Sequence, residues 1–193
     1  MYDHILGTIY SKQPTTLVLR TQGVGYSLHI SLLTYDALPN EGAECLIYTH
    51  LQVREDALVL FGFLNKEERL FFLKLTSVAG IGPITGIRIM SGASVEQLVA
   101  AIQSGNTPLL CKVKGIGKKT AERIVLELSS TIGTIKYLSN SSSASGHLEK
   151  DAIAALVTLG YSEKDALFVV QNIVKEKPSA TLDFIIREAL KVI

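Results

Sequence analysis

Leu75-Thr76-Ser77-Val78-Ala79-Gly80-Ile81-Gly82-Pro83-Ile84-Thr85-Gly86 decides the reading of this chain, because a second copy follows it. Leu110-Cys111-Lys112-Val113-Lys114-Gly115-Ile116-Gly117-Lys118-Lys119-Thr120-Ala121 repeats Leu-x-x-Val-x-Gly-Ile-Gly and closes on a small residue, with an offset of 35 at every position. Each copy reads as helix, glycine turn, helix. Glycine permits a tight turn with positive φ and lets another backbone come close. The turn opens into a helix N-terminus, whose unpaired N–H groups and dipole favour an anion. Gly86 and Ala121 are small enough for the two helices of each copy to pack closely. No group here is suited to reading a base edge, so such a site positions nucleic-acid backbone without specifying sequence.

These residues resemble the helix-hairpin-helix family. One Gly-x-Gly between helices says little, but two copies in register say much more. The second copy adds Lys118, Lys119 and Arg123 just beyond the glycines, where phosphate-binding cations are expected. In the first copy Pro83-Ile84 follows the glycines, so that hairpin is expected to bind phosphate by backbone N–H groups and more weakly.

Around the repeat the chain reads as helical from 65 to 139. Asn65 with Glu68, and Ser94 with Gln97, are N-cap signals with a partner three residues on. Phe71, Leu75 and Val78 recur at helical spacing, as do Leu98, Ala101 and Ile102. Gly105 suits the position after a helix end, and Thr107-Pro108 suits a helix start. Lys118 to Ser129 carries Ala121, Ile124, Val125 and Leu128 on one face.

Residues 1–64 read differently. HILGTIY, TTLVLRTQ, GYSLHIS, AECLIYTHLQV and ALVLFGF are rich in strand-forming residues and bounded by turn formers. Gly23-Val24-Gly25 suits the turn between the second and third. Five short strands in so few residues predict a small closed barrel of the OB type.

At the other end, 140–146 is a flexible linker by composition (Asn140-Ser141-Ser142-Ser143-Ala144-Ser145-Gly146). Residues 147–193 then hold three apolar stripes: Leu148, Ala152, Leu156 and Leu159; Ala166, Val169, Val170 and Ile173 after a Ser162/Asp165 cap; and Leu182, Ile185, Ile186, Ala189, Leu190 and Ile193. This predicts a three-helix, UBA-like module suited to docking on another protein. The fold class is therefore α+β multidomain: an OB-fold barrel at 1–64, a tandem helix-hairpin-helix domain at 65–139, the linker, and the module at 147–193.

The net charge of +1 conceals a division. Residues 1–64 have three Lys/Arg against six Asp/Glu, 65–140 have ten against five, and 141–193 have six against seven. The excess of cations falls on the middle third, which holds the hairpins, the footprint expected of a phosphate-binding face.

Several functions are not expected. There is no GxxxxGK[ST] loop for ATP, and no strand precedes Gly80-Ile81-Gly82 as a dinucleotide fingerprint requires. His4, His29, His50 and His147 are scattered, and none pairs with another histidine or cysteine at ligand spacing. No catalytic residue, cofactor or metal is expected. Cys45 and Cys111 lie far apart, which suits a reducing cytoplasm. The N-terminus has no basic and apolar regions of a signal peptide, and no run of about 18 uncharged apolar residues offers a membrane span.

The whole order of elements resembles the RuvA family, Holliday-junction-binding subunits of the bacterial branch-migration machine. The resemblance covers all 193 residues and is carried by Gly23-Val24-Gly25-Tyr26, Arg54-Glu55-Asp56, Ala57-Leu58-Val59-Leu60-Phe61-Gly62-Phe63, both hairpins, and Ala154-Ala155-Leu156-Val157-Thr158-Leu159-Gly160-Tyr161. It implies a non-catalytic homotetramer, which can double to an octamer on DNA, holding the four arms open and roughly planar. It implies docking of 147–193 on the hexameric ATPase RuvB, work alongside the endonuclease RuvC, and a cytoplasmic location. Glu55 and Asp56 become an acidic pin at the centre of the tetramer, with Arg54 beside them among the DNA contacts. By sequence alone that pair is two carboxylates at a turn.

Two rivals stay open at this point. Helix-hairpin-helix modules occur in DNA glycosylases, which are larger, mostly helical and without an N-terminal barrel; here no acidic residue follows the first hairpin until Glu96. They could also serve a repair-nuclease subunit, with the hairpins used for dimerisation and duplex binding. Preference for four-way junctions over linear duplex discriminates the RuvA reading from the latter.

Overall fold

A computed structural model describes residues 2–132, 147–177 and 180–192. Five strands, β1 (His4–Gln13), β2 (Thr16–Thr21), β3 (Val24–His29), β4 (Glu44–Val53) and β5 (Leu58–Phe63), close a barrel in the order β1-β2-β3-β5-β4. All neighbours are antiparallel except β3 and β5. Alternation places Leu17 and Leu19 of β2 inside with Ile5, Ile9, Leu28, Ile30 and Ile47, while Arg20 faces out. Closure removes the open edges that so small a sheet would otherwise expose.

The β2–β3 turn is Gln22-Gly23, with φ of 47° and 85°, and Thr21 pairs with Val24 across it. Two positive φ values are the signature of a primed hairpin turn, whose twist matches the flanking strands. Val24 and Gly25 therefore belong to β3 rather than to the turn. One short helix escaped the sequence reading: α1 (Leu32–Ala37), where the Ser31 hydroxyl accepts the Thr34 N–H. Its six residues are too few to show a helical period.

Strand gives way to helix at Asn65, yet the packing runs straight across that point. Along β5, Leu60 faces the barrel core while Phe61 and Phe63 face the helices. Their rings lie 5.1 and 4.9 Å from that of Phe72 in α2 (Lys66–Ser77). Met1–Ser139 accordingly forms one compact unit. Arg69 of α2 ties the joint from outside, donating to Asp3 Oδ1 at 2.6 Å and to the Asp3 carbonyl at 2.8 Å. Hydrogen bonds from His4 and Arg69 hold the Asp3 carboxyl down at about 2. At the α2 start, Asn65 accepts the Glu68 N–H as expected, but the Glu68 carboxylate takes the Leu64 N–H, one residue before the cap.

Among the described residues the unit's further helices are α3 (Pro83–Met90), α4 (Val95–Gln103), α5 (Thr107–Cys111) and α6 (Lys118–Leu128). Ser94 and Gln97 make the full reciprocal capping box, and Gly105 leaves α4 with φ of 70°. Phe71, Leu75, Val78, Leu98, Ile102, Leu110, Ile124 and Leu128 share one buried core.

The second unit, Asn140–Ile193, holds α7 (His147–Thr158), α8 (Glu163–Glu176) and α9 (Leu182–Val192) around Ala152, Leu156, Ala166, Val170, Ile185 and Ala189. Two residues assigned to its apolar stripes are not core. Leu159 is 60% exposed because α7 stops at Thr158 and the chain turns through Gly160 at φ of 100°. Leu190 is 42% exposed beside buried Ala189. The 140–146 linker and Ile193 lie outside the described residues. No helix among the described residues is long and apolar enough to cross a membrane.

Candidate nucleic-acid interface

The 35-residue repeat of sequence is a repeat of geometry. In the first copy Val78 N–H donates to Leu75 O at 3.2 Å, Ile81 N–H to Val78 O at 3.0 Å, and Gly86 N–H to Gly82 O at 2.9 Å. In the second, Val113 donates to Leu110 at 3.2 Å, Ile116 to Val113 at 3.0 Å, and Ala121 to Gly117 at 3.0 Å. Gly80 and Gly115 take φ of 92° and 96°, where a side chain would be strained. Ile81 and Ile116 are 4% and 6% exposed. With side chains buried and N–H groups turned inward, both isoleucines anchor the loop rather than face a ligand. Gly86 is small for the expected reason: a Cβ there would sit 3.2 Å from the Phe72 ring.

Gly82 and Gly117 have a different role. Each is the N-cap of the following helix, at φ −79°, ψ 164° and φ −84°, ψ 169°, extended backbone open to any residue. N-caps favour Ser, Thr, Asp or Asn, which satisfy the first free N–H groups. Neither glycine does so, and nothing lies within 4 Å of a Cβ built on either. The first turns of α3 and α6 thus point uncapped N–H groups into open space, as an anion-binding site requires. The copies are unequal. Pro83 removes the N1 donor of α3, whereas Lys118, Lys119 and Thr120 all keep theirs in α6.

Cations surround the second copy. Lys118 and Lys119 are exposed, and so are Lys112 and Lys114 on the approach to the turn. Lys112 and Lys114 were missed as candidates, although they stand within the same eight-residue segment. They and Arg88 line an open groove of about 820 Å³ between α3, α4, the end of α5 and the barrel loops, with no carboxylate among the described residues that line it. Two candidate cations have local partners: Arg123 Nε meets Glu127 at 2.6 Å, and Lys118 Nζ stands 4.0 Å from Glu122. Exposed pairs four residues apart contribute only about 0.3–0.5 kcal/mol, so a phosphate can compete for either cation.

Arg54, Glu55 and Asp56 stand on the barrel, outside both helix-hairpin-helix motifs. They are exposed at the four-residue tip of the β4–β5 hairpin, closed by Arg54 N–H donating to Ala57 O at 2.9 Å. Three histidines make local contacts: His4 accompanies Asp3, while the His29 and His50 rings flank Phe61. Burial, then the nearby Arg69 charge, lowers the His50 pKa. Among the described residues no group of His, Cys, Asp and Glu could hold a metal ion.

Comparison with known proteins follows the same divisions. Residues 1–62 match the family model "RuvA N terminal domain", 72–130 the model "SAM-like Helix-hairpin-helix tandem", and 148–193 the model "RuvA, C-terminal domain". Among similar proteins is the Holliday junction branch migration complex subunit RuvA of Acidobacterium capsulatum, 40% identical over 197 residues and 100% of both chains. The proteins of the same name from Escherichia coli O9:H4 (strain HS) and Enterobacter sp. (strain 638) are 37% and 38% identical, over 99% of this chain and 98% of theirs.

Proposed function

The chain belongs to the RuvA family, and from that premise we propose that it binds Holliday junctions as a homotetramer. The tetramer holds the four arms open and roughly planar. Residues 147–193 couple it to the RuvB hexameric ATPase, which drives branch migration in recombination and repair, and RuvC acts on the same junction. The chain is itself non-catalytic and cytoplasmic in this reading. The observation that carries it is the pair of hairpins, alike bond for bond, each opening an uncapped helix N-terminus to solvent. Two such sites per subunit grip backbone at two places without reading bases. Gel-shift titration of a four-way junction against linear duplex, with the solution mass of the free protein, tests the reading. A tetramer that prefers the junction is expected; equal affinity for the two DNAs overturns it.

Lys118 and Lys119 are assigned to phosphate. Each lost contact should flatten the slope of log K against log salt by roughly 0.9, so Lys118→Ala with Lys119→Ala should remove about two units for each DNA-bound subunit. Binding should weaken alike for junctions of different sequence. An unchanged slope, or weakening that depends on sequence, argues against the assignment.

The acidic tip is assigned a repulsive role. Glu55→Gln with Asp56→Asn removes two charges per subunit, and so eight from a tetramer, where the four arms converge. Junction affinity should hold or rise while linear-duplex affinity rises more, because a neutral centre no longer disfavours an uninterrupted duplex across it. A structural role predicts loss of the tetramer instead. Duplex binding as weak as in the wild type would rule the pin out.

A further inference from the structure

The β4–β5 hairpin outruns the barrel that it helps to close. β1 follows β4 only as far as His4↔Tyr48, with the Thr49 N–H donating to Asp3 O at 2.9 Å. β3 meets β5 at Leu28↔Leu60 and His29↔Phe61. The last rungs, Gln52↔Val59 and Val53↔Leu58, are paired only with each other among the described residues. Side chains alternate along both strands, and Ile47, Leu60 and Gly62 face the barrel core. Val53 and Leu58 are in phase with them and point to the same side. At that level no barrel remains to cover them, and they are 67% and 71% exposed.

Two aliphatic side chains side by side on a two-stranded overhang form an uncovered apolar rung. The flanking charges indicate what covers it. Glu55 and Asp56 stand immediately beyond, so the phosphates of a nucleic acid are repelled from this end. The candidate phosphate sites lie instead on the hairpins of the helical part. What DNA can present to the rung is its uncharged component, the flat face of a base free of its stack. Five-stranded OB barrels use the loop between strands 4 and 5 in binding oligonucleotides, and Leu and Ile side chains elsewhere wedge against unstacked base steps.

We propose that Val53 and Leu58 form an apolar platform for the faces of unstacked nucleobases at the crossover of a four-way junction. This rests on the junction-binding reading, which brings the tip to the crossover. Any base suits such a platform, so it adds no sequence preference, and it holds opened bases while the carboxylates keep their phosphates away.

The test uses full-length protein and junctions carrying 2-aminopurine, either at the crossover or well inside one arm. The fluorescence of this base rises when it leaves the stack. The wild type should raise the crossover signal and leave the arm signal unchanged. Val53→Thr with Leu58→Gln keeps strand-forming and polar character suited to an exposed rung. It should keep the oligomer mass and the preference for junctions over linear duplex yet lose most of the crossover rise. Val53→Ile with Leu58→Met should retain it. The proposal is overturned if the polar pair keeps the full rise, or if it alters the oligomer mass, since the rung is then a contact between copies. It is also overturned if the wild type prefers junctions but gives no rise at the crossover; the junction reading survives that result. A wild type that binds linear duplex as tightly as junctions sinks the junction reading itself.

Discussion

Gly117→Asp should cost junction affinity on the order of 10- to 100-fold for each hairpin engaged, while the fold stays as stable as the wild type or gains slightly. Such a loss corresponds to about 1.4–2.8 kcal/mol. The two halves of this expectation have separate causes. Gly117 is at φ −84° with open space around it, so a side chain strains nothing. Asp is moreover a preferred N-cap, better than Gly by a few tenths of a kcal/mol. Its carboxylate would accept the first-turn N–H groups of α6 that are otherwise free for phosphate, and would set a negative charge beside them. Asp at Gly115 is different, because φ of 96° there strains any side chain. Glycine at both positions reads from sequence as a strained turn, and only the dihedrals separate the one that must be glycine from the one that is merely left bare. Thermal melting and gel-shift titration of Gly117→Asp, with Gly117→Asn as a neutral cap, check this. A folded Gly117→Asp protein that binds junctions like the wild type removes the second hairpin from the DNA interface.

Ending the chain after Ser143 should abolish ATP-driven branch migration with RuvB while sparing junction binding and the tetramer. The two cores of the first unit draw on residues from Ile5 to Ile132, and that of the second on residues from Ala152 to Ala189. Each has its own set of fully buried side chains, so loss of one leaves the other packed. Gel shift, solution mass and a migration assay with the motor and ATP report the three properties separately. If the shortened chain no longer binds junctions, the division between the units is misplaced.

Local patterns were the most legible part of this protein. The five strands, the caps at Asn65, Ser94 and Ser162, and the exit at Gly105 all depend on residues within a few positions of one another. The repeat was legible for the same reason, since the turn chemistry of Gly80-Ile81-Gly82 is written twice. Leu159 was misplaced because helical spacing continues past the point where Gly160 ends the helix. That the Glu68 carboxylate takes the Leu64 N–H was not legible, because the route of the chain before Asn65 is not a matter of spacing.

By itself, then, the sequence determined which segments are strand and which helix, where the two hairpins lie, and which third of the chain is basic. Period, capping and charge are properties of neighbours along the chain. Only the tertiary structure decided that β5 serves two cores at once, with Leu60 in one and Phe61 and Phe63 in the other. The same is true of the inward turn of Ile81 and Ile116, and of Val53 and Leu58, core-phased residues left outside where their hairpin overhangs its barrel. These depend on what lies across from a residue rather than beside it. Strand alternation says that a side chain has a face but not what covers that face.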